Sequence, residues 1–226
     1  SYSSTQDFSN ARKLAKSANK IVVAQDGDAV NNNEDRFFVY QLNNSSATLI
    51  NTYDPQMNLW DVQFAGNTLY AVQDDSDSLA VFNNFLDNSD GVISNDVKVQ
   101  IEGVVRTHAF FYANLEDVMF LTDIGDADSG TDGAIHIIKD FSTKLSAAGN
   151  NGSISLADQI VIAGDNTELG NPVGLTYDSE NQKIYVAERK SEGGKLLEFD
   201  LPTVKGNPAP TFSQNFAGAA AVYLSE

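Results

Sequence analysis

The chain has 226 residues and a formal net charge of −17, with only 14 Lys and Arg residues. Nucleic acids and anionic membranes are themselves negative and are bound through clusters of basic side chains, so neither is expected as a partner. The absence of cysteine excludes disulfides and thiolate chemistry, and no apolar run approaches the roughly 20 residues of a membrane helix.

The first half of the chain predicts two groups of four short strands. The first group covers 14–17, 21–25, 36–42 and 48–53. The segment 11–18 also has helical propensity, but its register against 61–66 in the next group favours a strand. The second group covers 59–64, 68–73, 78–85 and 97–102. Asp, Asn, Ser and Gly between these strands are typical of turns, so each group predicts an antiparallel meander.

The second half repeats the pattern. The third group covers 108–112, 118–122, 134–141 and 159–163, and the fourth covers 173–177, 184–188, 195–200 and 210–215. The second strand of each group is an apolar run that ends on a polar residue. These runs start at residues 21, 69, 118 and 184, with spacings of 48, 49 and 66. Periods near 40 to 50 residues with several strands per repeat are typical of β-propellers.

We therefore predict an all-β fold, a single β-propeller domain over residues 1–226 with four-stranded antiparallel blades. The expected blades are approximately 8–54, 58–103, 106–164 and 171–216. The tail from Ala219 resembles the start of the fourth group, which predicts a spare inner strand over 217–226. Because a repeat protein must cover its terminal faces, the tail either closes a four-blade ring or belongs to a larger propeller. We favour a larger propeller, or self-association through this C-terminal strand, over closure of a four-blade ring.

One blade carries a family resemblance. The segments Asn171–Tyr177, Lys183–Glu188 and Gly194–Asp200 resemble a blade of NHL-repeat and gluconolactonase-like propellers. The resemblance covers one blade well and the others loosely, so it implies the fold more than the activity. Enzymes of the gluconolactonase-like type hold a divalent metal at the mouth of the ring with Glu, Asn and Asp side chains. Asn171 matches that pattern, whereas the early metal-binding Glu has no clear counterpart.

Candidate binding residues lie at strand ends. In a meander blade the inner strand starts, and the second strand ends, on one face of the ring, so residues there are expected to converge on one mouth. The predicted ligand-binding residues are Trp60, Asp61, Gln73, Arg106, His108, Asn171 and Glu188. Trp60 is suited to stacking on a sugar or peptide, with core packing as an equal alternative.

The densest carboxylate cluster lies in residues 123–133. Calcium prefers several carboxylate and carbonyl oxygens on a flexible loop, which makes calcium the candidate cofactor. The predicted metal ligands are Asp123, Asp126, Asp128 and Asp132. Their spacing does not fit an EF-hand, and a solvated loop between two strands is the alternative.

The sequence favours a binding or scaffolding module over an enzyme. It contains no nucleophile elbow, zincin or P-loop motif. The acidic, cysteine-free composition predicts a secreted or cell-surface protein, and a periplasmic location is included. The predicted partner is a protein or a carbohydrate. Two alternatives stay open: a divalent-metal-dependent, lactonase-like hydrolase with its site at the mouth, and a structural subunit of an extracellular assembly formed by strand exchange.

Overall fold

A computed structural model describes residues 2–225. Four sheets, each built on an antiparallel meander of four strands, contain most of the regular structure, so the predicted all-β class is confirmed. Contacts within the chain cluster into two compact units. Unit one comprises the chain up to Asp74 together with Ser78–Val99, and unit two comprises Asp75–Asp77 together with the chain from Gln100 onward. The single domain over 1–226 stays a prediction, and each unit is described by itself.

The first sheet of unit one follows the predicted order. Its strands are β1 (Ala11–Ser17), β2 (Lys20–Gln25), β3 (Arg36–Asn43) and β4 (Ser46–Asp54). Segment 11–17 is thus a strand, as its register predicted. Successive side chains of a strand point to opposite faces, so Val22 and Val23 enter different cores. On the outer face, Phe8 of the N-terminal segment packs against Phe38 with ring centroids 5.9 Å apart and covers that face.

The second sheet packs on the inner face of the first. Its elements are β5 (Leu59–Ala65), β6 (Thr68–Gln73), β7 (Ser78–Phe82), β8 (Gly91–Val92), which pairs elsewhere, and β9 (Val97–Ile101). The third strand ends at Phe82 rather than at the predicted residue 85, because a 3-10 turn over Phe85–Asp87 directs the Phe85 ring into the core. Phe85 is fully buried and makes edge contacts with four aromatic rings, those of Phe37, Tyr53, Phe64 and Phe82.

The third sheet, in unit two, carries an unpredicted helix. Its elements are β10 (Phe110–Ala113), β11 (Val118–Asp123), β12 (Ala134–Lys139), α1 (Phe141–Ala148), β13 (Gly152–Ile154), which pairs elsewhere, and β14 (Ile160–Ala163). The predicted strand to residue 141 is wrong at its end, because Asp140 has a left-handed backbone with a φ of 50° that stops the strand. Phe141 is instead the first residue of α1, where its buried ring contacts Tyr112 at 5.1 Å.

The fourth sheet packs against the third within unit two. Its strands are β15 (Pro172–Asp178), β16 (Lys183–Glu188), β17 (Lys195–Asp200) and β18 (Phe212–Asn215). Tyr177 stacks on Phe120 with ring centroids 4.6 Å apart. Further 3-10 turns occupy Leu156–Asp158, Asp165–Thr167 and Ser191–Gly193. Among the described residues, no helix is both long enough and apolar enough to cross a membrane.

The predicted extra strand over 217–226 is wrong for the described residues 217–225, which form no strand. A turn at Gly218, with a φ of 72°, redirects the chain, and the Gly218 N–H bonds with the Gly193 carbonyl rather than with a ladder. The tail then crosses the start of β15, where a Cβ added to Gly174 would lie 3.0 Å from the Cα of Ala221. Small residues in the tail therefore serve close packing on β15. Residue 226 lies outside the described residues.

In both units, a short parallel pairing also joins the two sheets. The segment just before the last strand of the later sheet pairs in parallel with the outer strand of the earlier sheet. In unit one, Gly91 of β8 lies opposite Tyr53 of β4. In unit two, Gly206 lies opposite Ile162 of β14, and its carbonyl accepts from the Ala163 N–H at 3.0 Å. We call residues 91–92 and Gly206 the return segments.

Candidate functional site

In unit one, Trp60 contacts its own chain. The Arg12 guanidinium lies 4.1 Å from the centroid of the Trp60 ring and pairs with the Asp26 carboxylate at 2.5 Å. A guanidinium over an indole is a favourable cation–π arrangement. One face of the half-buried ring is therefore occupied by Arg12, and the predicted ligand stacking concerns the other face.

Asp61 and Gln73 each bond to a lysine on another strand of unit one. Asp61 is 2% exposed, and its carboxylate lies 3.3 Å from the Lys13 ammonium. The Gln73 side-chain oxygen accepts from Lys98 at 2.6 Å. A buried carboxylate without a cation would be costly, so Lys13 offsets the burial of Asp61. These contacts connect strands within the unit.

Asp35 is a titratable group of unit one that the sequence pattern did not single out. Its side chain is half-buried, and Oδ1 accepts from the Leu59 N–H at 2.7 Å. Burial raises the pKa of Asp35 to about 6. The Asp26 and Asp74 carboxylates raise this pKa further, whereas hydrogen bonds from the backbone N–H groups of Leu59 and Gly27 lower it. No local motif marks this residue, because its pKa depends mainly on burial in the folded chain and, to a smaller extent, on the Asp26 and Asp74 carboxylates.

In unit two, Glu188 accepts hydrogen bonds from the backbone. The side chain is fully buried at the end of β16. Oε1 accepts from the N–H groups of Asn171, Lys190 and Ser191 at 2.8, 2.7 and 3.0 Å, and Oε2 accepts from Gly170 at 3.0 Å. One carboxylate satisfies four backbone donors, two in the turn that leads into β15 and two in the segment that follows β16, and so holds these two segments together.

The same device recurs in two other sheets. At the end of β11, Asp123 Oδ1 accepts from the Val105 and Arg106 N–H groups at 3.1 and 3.0 Å. At the end of β2, Gln25 Oε1 accepts from the Ser9 N–H at 3.0 Å. In each case the last residue of the second strand binds the backbone of the segment that enters the inner strand. These strand-end residues therefore hold the scaffold.

The remaining predicted residues of unit two lie beside this scaffold. Arg106 pairs with Asp75, with Nε 3.0 Å from Oδ1, and His108 is buried just before β10. Asn171 is 8% exposed, and its amide N–H approaches the Ala127 carbonyl at 3.5 Å. Within residues 2–225, the Asn171 side-chain oxygen has no hydrogen-bond partner.

The aspartates of the predicted calcium loop bond within the protein. Asp132 Oδ2 accepts from the Asp126 N–H, and Asp126 Oδ1 accepts from the Asp128 N–H, both at 2.9 Å. Asp128 lies 3.4 Å from the Lys190 ammonium. Across the described part of the chain, no three His, Asp or Glu side chains form a group that could hold a metal. Calcium binding by Asp123, Asp126, Asp128 and Asp132 stays a prediction.

Comparison with known proteins identifies the fold. No protein-family model and no curated protein matches the chain. A putative 6-phosphogluconolactonase from Bacteroides fragilis superposes over 92% of this chain with a TM-score of 0.60 and 13% identity. A nidogen/laminin complex superposes over 94% with a TM-score of 0.55 and 14% identity. A coronin WD40 domain from Toxoplasma gondii superposes over 85% with a TM-score of 0.53 and 7% identity. WD40 repeats build propeller blades. The fold is that of a β-propeller.

The likeness to these propellers concerns the fold alone, because the identities are low. This chain spans 57% of the putative 6-phosphogluconolactonase, 68% of the matched nidogen/laminin chain and 45% of the coronin chain. The resemblance to NHL-repeat and gluconolactonase-like propellers stays a prediction, as does the convergence of the predicted residues on one mouth.

Proposed function

We propose that this β-propeller is a binding or scaffolding module that captures an extended segment of a protein partner along β18. The observation that carries the proposal is the outer edge of the fourth sheet. All four residues of β18 are exposed, and within residues 2–225 its outer edge pairs with no strand. An exposed edge presents unpaired N–H and C=O groups, which is the surface used in β-augmentation.

The return segments support this mode of binding. β4 and β14 are the outer strands of the first and third sheets, and each accepts a short parallel segment with a glycine at the pairing position. Glycine lets the incoming backbone approach closely because it has no side chain. β18 is the outer strand of the fourth sheet, so a parallel, glycine-containing segment is the occupant that the repeat itself indicates.

The surroundings of β18 indicate the composition of the partner segment. Phe212 and Phe216 are 46% and 61% exposed and offer apolar contacts next to the edge. The whole chain carries a net charge of −17. We therefore expect a basic segment with apolar residues beside its glycine, since opposite charge favours encounter.

The strand-end residues also favour binding over catalysis. Asp123 and Glu188 accept backbone hydrogen bonds at the positions where a propeller ligand would be expected. A group that holds a loop in this way is not free to exchange protons with a substrate. We also propose a secreted or cell-surface location, which the acidic composition supports because a highly charged surface keeps an exposed protein soluble.

A proline substitution tests the proposed edge. The Phe216 N–H donates to the Gly194 carbonyl, so in an antiparallel register the N–H groups of Ser213 and Asn215 point away from β17. Asn215→Pro removes one outward donor without removing a bond to β17. Asn215→Thr keeps the donor and serves as the matched control.

The probe is a display library of short peptides with a fixed central glycine, selected on the intact chain. We expect enrichment of basic and apolar residues, and binding of the selected peptides at least about tenfold weaker to Asn215→Pro than to Asn215→Thr, that is about 1.4 kcal/mol. Equal binding to both variants would overturn the proposal. If light scattering shows concentration-dependent dimers that Asn215→Pro abolishes, the partner at β18 is a second copy of this chain rather than another protein.

A further inference from the structure

Unit one contains an open cleft that none of the predicted binding residues lines. Its volume is about 500 Å³. Residues 6–9 of the N-terminal segment form one wall, residues 30–32 and Glu34 form a second wall, and Arg36, Phe38 and Thr52 complete the lining. Ligand pockets in proteins commonly have volumes of about 300 to 1,000 Å³. The cleft therefore has room for a small ligand.

The first wall of the cleft is held in place by packing and hydrogen bonds. The Phe8 ring contacts Phe38 and also lies edge-on to Tyr40 at 6.3 Å. The Tyr40 hydroxyl donates to Asp7 at 3.0 Å. Below the cleft, the Gln25 amide accepts from the Ser9 N–H and donates to the Glu34 carbonyl at 2.9 Å. The two walls are thus joined through one buried amide, and the cleft is preformed.

Neutral hydrogen-bonding groups with unused capacity line this cleft. The Ser9 hydroxyl is buried and has no partner within residues 2–225. Over the same residues, the side chains of Gln6, Asn32 and Thr52 make no hydrogen bond. Hydroxyls and amides can donate and accept at once. A buried hydroxyl without a partner is costly, so a ligand that bonds to Ser9 gains affinity.

The charged groups of the cleft already have partners. Arg36 lies 2.7 Å from the Asp54 carboxylate and 3.3 Å from that of Glu34. Asp7 accepts from Tyr40 and from the Thr5 hydroxyl. Because these charges are paired inside the protein, an added ionic ligand would have to compete with them. The unused hydrogen-bonding capacity therefore matches a neutral ligand.

We propose that the cleft binds a neutral saccharide. A sugar ring offers several hydroxyls, each a donor and an acceptor, and an apolar face formed by its C–H groups. The hydroxyls would bond to Ser9, Asn32 and Thr52, and the apolar face would pack on the phenyl ring of Phe8. This site lies on the first sheet of unit one and does not depend on the proposed peptide edge at β18.

The test titrates the intact chain with a panel of neutral oligosaccharides built from glucose, galactose, mannose or N-acetylglucosamine, with sulfated and sialylated oligosaccharides alongside. We expect saturable binding of a neutral member in calorimetry, with nuclear magnetic resonance shifts at the backbone amides of Ser9, Asn32 and Thr52. Thr52→Val and Ser9→Ala should each weaken binding about three- to tenfold, the value of one hydrogen bond.

Two controls separate binding from folding. Thr48→Val makes the same substitution elsewhere on β4, outside the cleft, and should leave the affinity unchanged. Asn32→Gly removes the amide while keeping the left-handed backbone, with a φ of 61° in the parent chain, and should weaken binding without lowering the melting temperature. Absence of binding to every neutral saccharide, stronger binding of the charged ones, or equal affinity of Thr52→Val and Thr48→Val would each overturn the proposal.

Discussion

Replacing Asp35 with asparagine is expected to stabilise the protein near neutral pH and to have a smaller effect in mild acid. Burial raises the pKa of Asp35 from 3.8 to about 6 in the folded protein. The folded state therefore binds a proton more strongly than the unfolded state does. Between these two values, the stability of the wild-type protein falls as the pH rises, because the carboxylate becomes charged in a half-buried site.

The size of the effect follows from the raised pKa. A shift from 3.8 to about 6 corresponds to at most about 3 kcal/mol of unfolding free energy. Asp35 remains partly exposed, and solvent screening reduces this to about 1 to 2 kcal/mol. Asparagine keeps an oxygen at the position that accepts from the Leu59 N–H, so the substitution removes the charge and retains the bond.

The assay is urea denaturation of the wild type and Asp35→Asn at about pH 5 and about pH 8. The gain from Asp35→Asn should be larger at the higher pH, where the wild-type carboxylate is fully charged. Asp165→Asn, at an exposed position in unit two, reports the effect of removing one negative charge from an acidic chain. The reasoning is refuted if Asp35→Asn is less stable than the wild type at pH 8, or if its gain does not exceed that of Asp165→Asn.

Three further substitutions have defined outcomes. Phe85→Ala removes the centre of an aromatic cluster, and the unfolding free energy should fall by about 3 to 5 kcal/mol in chemical denaturation; a loss below about 1 kcal/mol would show that the core closes around the cavity. Glu188→Ala leaves four backbone N–H groups without their acceptor and should lower the melting temperature more than Glu188→Gln, which keeps one oxygen. Equal losses in thermal denaturation would argue against a role of the Glu188 carboxylate in holding the backbone. Gly170→Ala places a Cβ about 2.5 Å from the Gly130 carbonyl carbon and should lower the melting temperature, whereas Gly66→Ala, with open space around it, should show only the cost of its left-handed backbone.

The second strand of each sheet could be predicted closely from the sequence. The apolar run that starts at Val118 predicted a strand over 118–122, and β11 covers Val118–Asp123. The run that starts at Ile184 predicted 184–188, and β16 covers Lys183–Glu188. Each of these strands has a neighbour on each side, and most of their residues are buried, so burial largely determines their composition. The fourfold recurrence of this pattern predicted the propeller.

Features that depend on distant contacts were not visible in the sequence. β8 is only two residues long, and its pairing with β4 carries no periodic signal. The tail resembled an inner strand, but its turn at Gly218 and its packing over Gly174 follow from tertiary contacts. A carboxylate at a strand end looks the same in sequence whether it faces a ligand or, like Glu188, accepts backbone N–H groups.

The return segments have a consequence for how each unit loses its structure. In unit one, residues 91–92 leave the second sheet, join the first and come back to the second at β9. In unit two, Gly206 makes the same excursion from the fourth sheet to the third. Neighbouring sheets are thus joined by backbone hydrogen bonds at their outer edges as well as by packing of their faces. Separating the two sheets requires these hydrogen bonds to break, so the pair should unfold in a single cooperative step. Amide exchange at Ile93 and Ala163 should therefore report the same opening event as the strands beside them.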